Sequence, residues 1–224
     1  MKYLRQYIRE VLEASLPVQP NSQIFCDMDG VLVDFETSVV TFINHLLDGG
    51  SVPNVKRSKG HFYRLNLIHK EMGKDWRLQT GSDLNLPVIR SFMFISIAAN
   101  PGAIFASMKP LQDGVDQLWP ALNSTDLTVN ILSAPINGNK NASTTASAGK
   151  KEWVKNWLTP QPSSIVITPA RQKSEYANTN GVPNILIDDK TSTIDSWNAA
   201  GGIGILHTPG NSTKTITGLK ELLK

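Results

Sequence analysis

The stretch Ile24–Phe35, IFCDMDGVLVDF, constrains this chain more than any other. An apolar run ends in Asp27 and Asp29, which on a continuing strand would share a face. Gly30 then signals a turn of the backbone, and a second apolar run leads to a third acid, Asp34. Two carboxylates at the C-terminal end of a buried strand, beside a turn, can collect a divalent cation and present one oxygen as a nucleophile. A surface turn with two solvated acids would also fit this stretch alone. A second acidic pair, Asp188–Asp189, closes a later apolar run and favours a site.

The 224 residues suffice for one large domain or for a core with a modest insertion. Residues 2–16 place Leu4, Tyr7, Ile8, Val11 and Leu12 on one stripe, which predicts an amphipathic N-terminal helix. Residues 36–48, 61–72 and 84–99 read as further helices, with Pro87 in the first turn of the last and Asn100–Pro101–Gly102 as its break. VPNVKRSKG, residues 52–60, reads as a linker. From residue 109 the pattern changes. A helix over Pro110–Leu122 is followed by a strand over Thr128–Leu132, a helix over Lys150–Leu158 and strands over Ser164–Thr168 and Asn184–Ile187. A helix over Thr191–Ala200, a strand over Gly202–Leu206 and a last helix from about residue 213 complete the chain. Residues 137–149, NGNKNASTTASAG, read as a loop directly after the second strand.

Short, continuously apolar strands alternating with helices predict an α/β fold, a Rossmann-like three-layer parallel sheet. Residues 1–34 and 109–224 would form the core. The helical block 35–108 would be a cap inserted between the first and second core strands.

In such a sheet ligands bind outside the C-terminal ends of the strands. There the first strand places Asp27 and Asp29, the second Ser133, and the fourth Asp188 and Asp189. This oxygen-rich set suits Mg²⁺. Acids alone would repel a phosphate, so cations are needed. Lys150 opens the helix after the predicted loop, and Lys173 follows the third strand, with Arg171 as its rival. Ser133 can donate a hydrogen bond to a phosphoryl oxygen. The aromatics of the helical block, with Phe35, Phe105 and Trp76 foremost, either pack the core or line a pocket for a ring.

Other features exclude partners. The net charge is +3 and the densest basic run is KRSK at 56–59, which argues against a nucleic-acid polymer. One cysteine, Cys26, leaves no disulfide framework, so a cytoplasmic protein is expected (host cytoplasm for a phage-encoded chain). MKYLRQYIREVLEAS lacks the apolar run of a signal peptide, and no stretch of about 18 apolar residues predicts a membrane span. A homodimer is left open, through the helical block or the N-terminal helix.

Four separated motifs then occur in order: DMDGV at 27–31, the serine of LSAP at 132–135, a downstream lysine, and IDD at 187–189. In this the chain resembles the haloacid dehalogenase-like hydrolase superfamily. More narrowly it is similar to the 5'(3')-deoxyribonucleotidases and their bacterial and phage relatives. That family shares the opening DMDGVL, a lysine shortly before a Trp–Val pair (here Lys150 before Trp153–Val154), a lysine after the third strand, and an LIDD ending. PGAIFASMKPLQDGVDQL at 101–118 looks like its join between cap and core. The likeness runs from about residue 22 to the end. The loop of small polar residues after Ser133 and the extra-looking segment NTNGVP at 178–183 depart from it.

The resemblance implies roles. Asp27 would be the nucleophile that forms an aspartyl-phosphate. Asp29 would be the general acid for the leaving alcohol and then the base for water. Ser133 and Lys150 would bind the phosphoryl group, and Lys173 would be the lysine of the third motif. Asp188 and Asp189 would hold Mg²⁺ with Asp27 and the backbone carbonyl of Asp29. Phe35 and Phe105 would line the substrate pocket. The substrate would be a small phosphate monoester, in the narrower family a deoxyribonucleoside monophosphate. A phosphatase of a sugar phosphate or other metabolite, and a non-catalytic module that binds a phosphorylated ligand, remain alternatives.

Overall fold

The computed structural model describes residues 18–19, 21–52, 58–135 and 140–224. The expected N-terminal helix, most of the linker at 52–60 and residues 137–139 lie outside them.

Five strands form the central sheet: β1 Gln23–Cys26, β2 Thr128–Ser133, β3 Ile165–Ile167, β6 Ile185–Asp188 and β7 Ile203–Leu206. Their order is β3-β2-β1-β6-β7 and every pairing is parallel. The register sets Cys26 beside Ile131 on one side and Ile187 on the other. Strand ends that carry the acids are thereby brought level. Alternate residues point to opposite faces, and both faces are covered. Ile24, Cys26, Ile131 and Ile187 pack on one side, whereas Phe25, Leu132 and Leu186 pack on the other. This is why each strand reads as an unbroken apolar run.

The helical segment between β1 and β2 begins with α1 Phe35–Leu47, α2 Lys59–Met72, α3 Pro87–Ala99 and α4 Pro101–Ala106. Asp34 caps α1 by accepting from the Thr37 N–H. Pro87 and Pro101 occupy first-turn positions, where their missing N–H groups cost nothing. The helix expected from Leu84 is interrupted: Gly81–Asn85 is a 3₁₀ turn and the α-helix starts at Pro87. The two connections of this block to the sheet lie side by side. Asp34 N–H donates to Lys109 O at 2.9 Å, and Leu111 N–H to Leu32 O at 2.8 Å.

Before β2 the chain forms a π-turn over Gly114–Leu118 that runs into α5 Trp119–Asn123. Pro120 explains the turn. It has no N–H to offer Asp116 and its ring would crowd that carbonyl; the widened turn lets Trp119 N–H reach Gly114 O instead.

Residues 140–149 correct the loop expected at 137–149. They form the first half of α6 Lys140–Trp157, so Lys150 lies inside a helix rather than at its start. Small residues are needed here because α4 packs closely against α6. A side chain on Gly149 would run into the carbonyl of Gly102, and one on Gly102 into the carbonyl of Thr145. Thr145 and Ser147 turn their hydroxyls back onto the carbonyls of Asn141 and Ser143 at 3.0 and 2.8 Å.

NTNGVP is a small hairpin, β4 Asn178–Thr179 against β5 Val182–Pro183. Asn180 and Gly181 have φ of 54° and 85°, the left-handed pair that a two-residue hairpin turn requires. Helices α7 Thr191–Ala199 and α8 Ser212–Leu222 close the fold. Ile194 and Trp197 of α7 cover the Phe25 face, and Leu219 of α8 joins the opposite core.

Candidate active site

Asp27 follows β1 directly, and its N–H still donates to Ile187 O at 2.9 Å. The next residues wind tightly: Leu32 and Val33 N–H both donate to Met28 O at 2.8 Å, and Gly30 N–H to Val33 O at 3.0 Å. Gly30 has φ of 80°, and the space a side chain would need holds the Asp189 carboxylate. Only glycine meets both demands. The Asp-x-Asp-Gly spacing thus sets one acidic pair against the other.

Lys173 lies between Asp27 and Asp188. Its ammonium is 2.9 Å from Asp27 Oδ2 and 2.7 Å from Asp188 Oδ2. All three side chains are buried, with 3% or less exposed. Burial alone would raise the Asp27 carboxyl, but the charges of Lys173 and then Lys150 outweigh it and hold it below the ordinary carboxylate range. Burial likewise works to neutralise Lys173, and the charges of Asp27 and Asp188 overcome it, so the lysine stays protonated. Asp188 is pushed up by burial and by the Asp27 charge, against Lys173. Arg171, the rival cation, is exposed.

Lys150 makes a second, separate pair. Its ammonium donates to Asp29 Oδ2 at 2.6 Å and to Ser133 Oγ at 2.9 Å, with 1% of its side chain exposed. The helix carries it to the end of β2, and the buried Trp153 and Val154 one turn further on anchor it. Asp27 and Asp29 therefore meet different lysines.

Asp27, Asp188 and Asp189 each offer a carboxylate oxygen to one point, all within 4.8 Å of one another. Asp29 lies outside this set, and its Oδ2 accepts from Lys150. Among the described residues, the buried Oδ1 atoms of Asp27, Asp29 and Asp189 have no hydrogen-bond partner. Buried orphan carboxylate oxygens beside such a cluster fit a divalent cation. Asp188 is the more engaged of its pair: Oδ2 takes Lys173 and Oδ1 accepts from the Lys190 N–H at 2.9 Å. Asp189 is pushed up to about 6, chiefly by burial, which together with the charges of Asp27 and Asp188 outweighs the opposing charge of Lys190.

A cavity of about 280 Å³ opens at Asp29. Its volume is at the small end of the roughly 300–1,000 Å³ usual for small-molecule sites. Phe35, Met93, Phe94, Ile97 and Phe105 give it an apolar wall, and Asp29 and Lys190 supply charge. Phe35 and Phe105 stack with ring centroids 6.4 Å apart. Trp76 is placed elsewhere, packed against the core rather than lining the cavity. The sequence points to Phe35 and Phe105 but not to Met93, Ile97 or Lys190. The first two of these lie in an apolar helix whose pattern does not mark which side faces a cavity. Lys190 directly follows the second acidic pair, and that adjacency is the available signal.

No protein-family model matches the sequence, and no curated protein matches it. Solved structures do. A haloacid dehalogenase-like family hydrolase from Xanthomonas campestris is similar with a TM-score of 0.49 and 12% identity, over 91% of this chain and 92% of that one. A hydrolase from Streptococcus pneumoniae TIGR4 has a TM-score of 0.45 and 13% identity, over 89% of this chain and 100% of that one. An HAD family hydrolase from Deinococcus radiodurans R1, with bound phosphate and sodium, has a TM-score of 0.40 and 14% identity, over 89% and 88%.

Proposed function

We propose that this chain is a Mg²⁺-dependent phosphomonoesterase of the haloacid dehalogenase-like superfamily, acting on deoxyribonucleoside monophosphates. One observation carries the reading. Asp27 is ion-paired with Lys173, whereas Asp29, two residues on, is ion-paired with Lys150, which also donates to Ser133; each acid keeps a buried, unpartnered Oδ1. Two carboxylates with separate cations can do separate work, one attacking and one handling a proton.

In the first half-reaction an Asp27 oxygen attacks phosphorus, and an O–P bond forms as the bond to the alcohol oxygen breaks. Asp29 delivers a proton to the departing oxygen, which as a bare alkoxide would be a poor leaving group. The Ser133 hydroxyl donates to a phosphoryl oxygen, and the charge of Lys150 beside it offsets charge on the phosphoryl group. Lys173 keeps Asp27 ionised, which a nucleophilic carboxylate requires. In the second half-reaction Asp29 takes a proton from water, the water oxygen attacks phosphorus, and the bond to Asp27 breaks to give inorganic phosphate and the restored carboxylate. Asp27, Asp188 and Asp189 would hold Mg²⁺ with the Asp29 carbonyl, and the ion would offset charge on the phosphoryl oxygens. The apolar wall of the cavity favours an ester with a flat ring over a polyol phosphate.

The test is phosphate release from deoxyribonucleoside monophosphates and sugar phosphates, with and without Mg²⁺. Release that needs Mg²⁺, prefers the nucleotides and disappears in a folded Asp27→Asn variant is expected. Mg²⁺-independent release, or full turnover by Asp27→Asn, would overturn the mechanism. Preference for sugar phosphates would overturn the substrate.

A further inference from the structure

A lysine ammonium has three N–H donors. Lys150 gives one to Asp29 and one to Ser133. Its remaining side meets an aromatic ring: Nζ lies 4.8 Å from the centroid of Phe105. This is within the roughly 6 Å over which a ring face attracts a cation, and burial of the lysine strengthens the attraction. We infer that Phe105 is a positioning residue, whose ring fixes the Lys150 ammonium between Asp29 and Ser133, more than a platform for substrate. The inference rests on the reading of Lys150 as a phosphoryl-binding cation.

The surroundings explain how the ring is held there. Phe105 belongs to α4, which is capped by the Asn100 side chain at the Ala103 N–H and seated on α6 through Gly102 and Gly149. Lys150 is the next residue along α6. The close helix contact therefore sets the distance between the ring and the ammonium. The stacked Phe35 ring supports Phe105 further. A leucine at 105 would fill much of the space but would offer no negative ring face.

A fluorinated series separates these roles. Replacing Phe105 by mono-, di- and trifluorinated phenylalanine drains the ring face of charge while nearly keeping its shape. The first readout is the unfolding midpoint, measured in the natural chain and in a Lys150→Met background. Each added fluorine is expected to lower the midpoint in the natural chain and to leave it unchanged in the Lys150→Met background. The second readout is kcat and KM for thymidine 5'-monophosphate, which carries a ring, and glycerol 3-phosphate, which does not. An overall fall of about tenfold in kcat, equal for both esters and with little change in KM, is expected. Midpoints that fall equally in both backgrounds, or not at all, would overturn the pairing. A rise in KM confined to the ring-bearing ester would make Phe105 a stacking platform and overturn the inference. A chain that hydrolyses neither ester would sink the hydrolase reading, and the midpoints would then decide the Lys150–Phe105 pairing by themselves.

Discussion

Gly149 faces the carbonyl oxygen of Gly102 so closely that the two helices have no room for a side chain between them. Alanine is the better helix former, by about 1 kcal/mol in a helix interior. A methyl group forced against backbone costs about 1–3 kcal/mol. Gly149→Ala should therefore destabilise the chain, against the propensity rule, and should lower turnover because Lys150 is the next residue. Denaturant midpoints and kcat check this; a stabilised variant would mean that α4 yields easily.

Lys173 bridges two buried carboxylates at the end of the sheet. Lys173→Met leaves Asp27 and Asp188 facing one another without that cation. Breaking a buried pair in this way costs about 3–5 kcal/mol. A second change, Asp188→Asn, should recover part of the loss. The comparison is an unfolding free-energy cycle. A single variant as stable as the parent chain would show that the lysine is not needed for the fold.

For Asp189 the sign of the pH effect follows from its raised value. Its carboxyl sits at about 6 in the fold against 3.8 for the free group. The folded chain then binds the proton more tightly, so the metal-free protein loses stability as pH rises from about 4 to 6 and stays lower above that. Asp27, held below its ordinary value, acts oppositely: its contribution is present above 3.8 and is lost as pH falls through its folded value. Asp189→Asn should stabilise the chelator-treated protein at pH 7.5, by roughly 1–2 kcal/mol once solvent screening is allowed for. The gain should vanish near pH 4. A gain that does not change with pH would assign it to something other than the charge.

Adding Mg²⁺ should reverse that comparison. An ion at a hundredfold excess over its dissociation constant stabilises a fold by about 2.7 kcal/mol. For a chain of this size that is a rise of roughly 5–10 °C in the melting temperature. The parent chain should show it and Asp189→Asn should not. Equal shifts in both would place the ion away from the acidic cluster.

The sheet was legible because strands buried on both faces leave unbroken apolar runs, and because turn residues bound them. The acids at strand ends were legible for a related reason: carboxylates beside such runs have few structural excuses. NASTTASAG misled because small polar residues and glycine are weak helix formers. Its helix is supported by contact with α4, which lies some forty residues earlier, and its hydroxyls fold back onto the helix backbone. Both are tertiary or conformational facts that a local pattern does not carry. NTNGVP departs from the family pattern, yet Asn180–Gly181 is a hairpin signal in itself. Phe105 was legible as an aromatic near the site, but its contact with Lys150 depends on how α4 seats on α6.

The ladder bonds around the acids have one more consequence. Asp27 is tied by its N–H to Ile187, and Asp188 by its carbonyl to the His207 N–H, both at 2.9 Å. These residues continue the sheet and cannot drift apart as loop residues could. The repulsion among four neighbouring carboxylates is thus met once, when the chain folds, and is not met again at each encounter with a ligand. Binding inherits a frame that needs little reorganisation, and the free energy of association can go into contacts rather than into ordering the backbone.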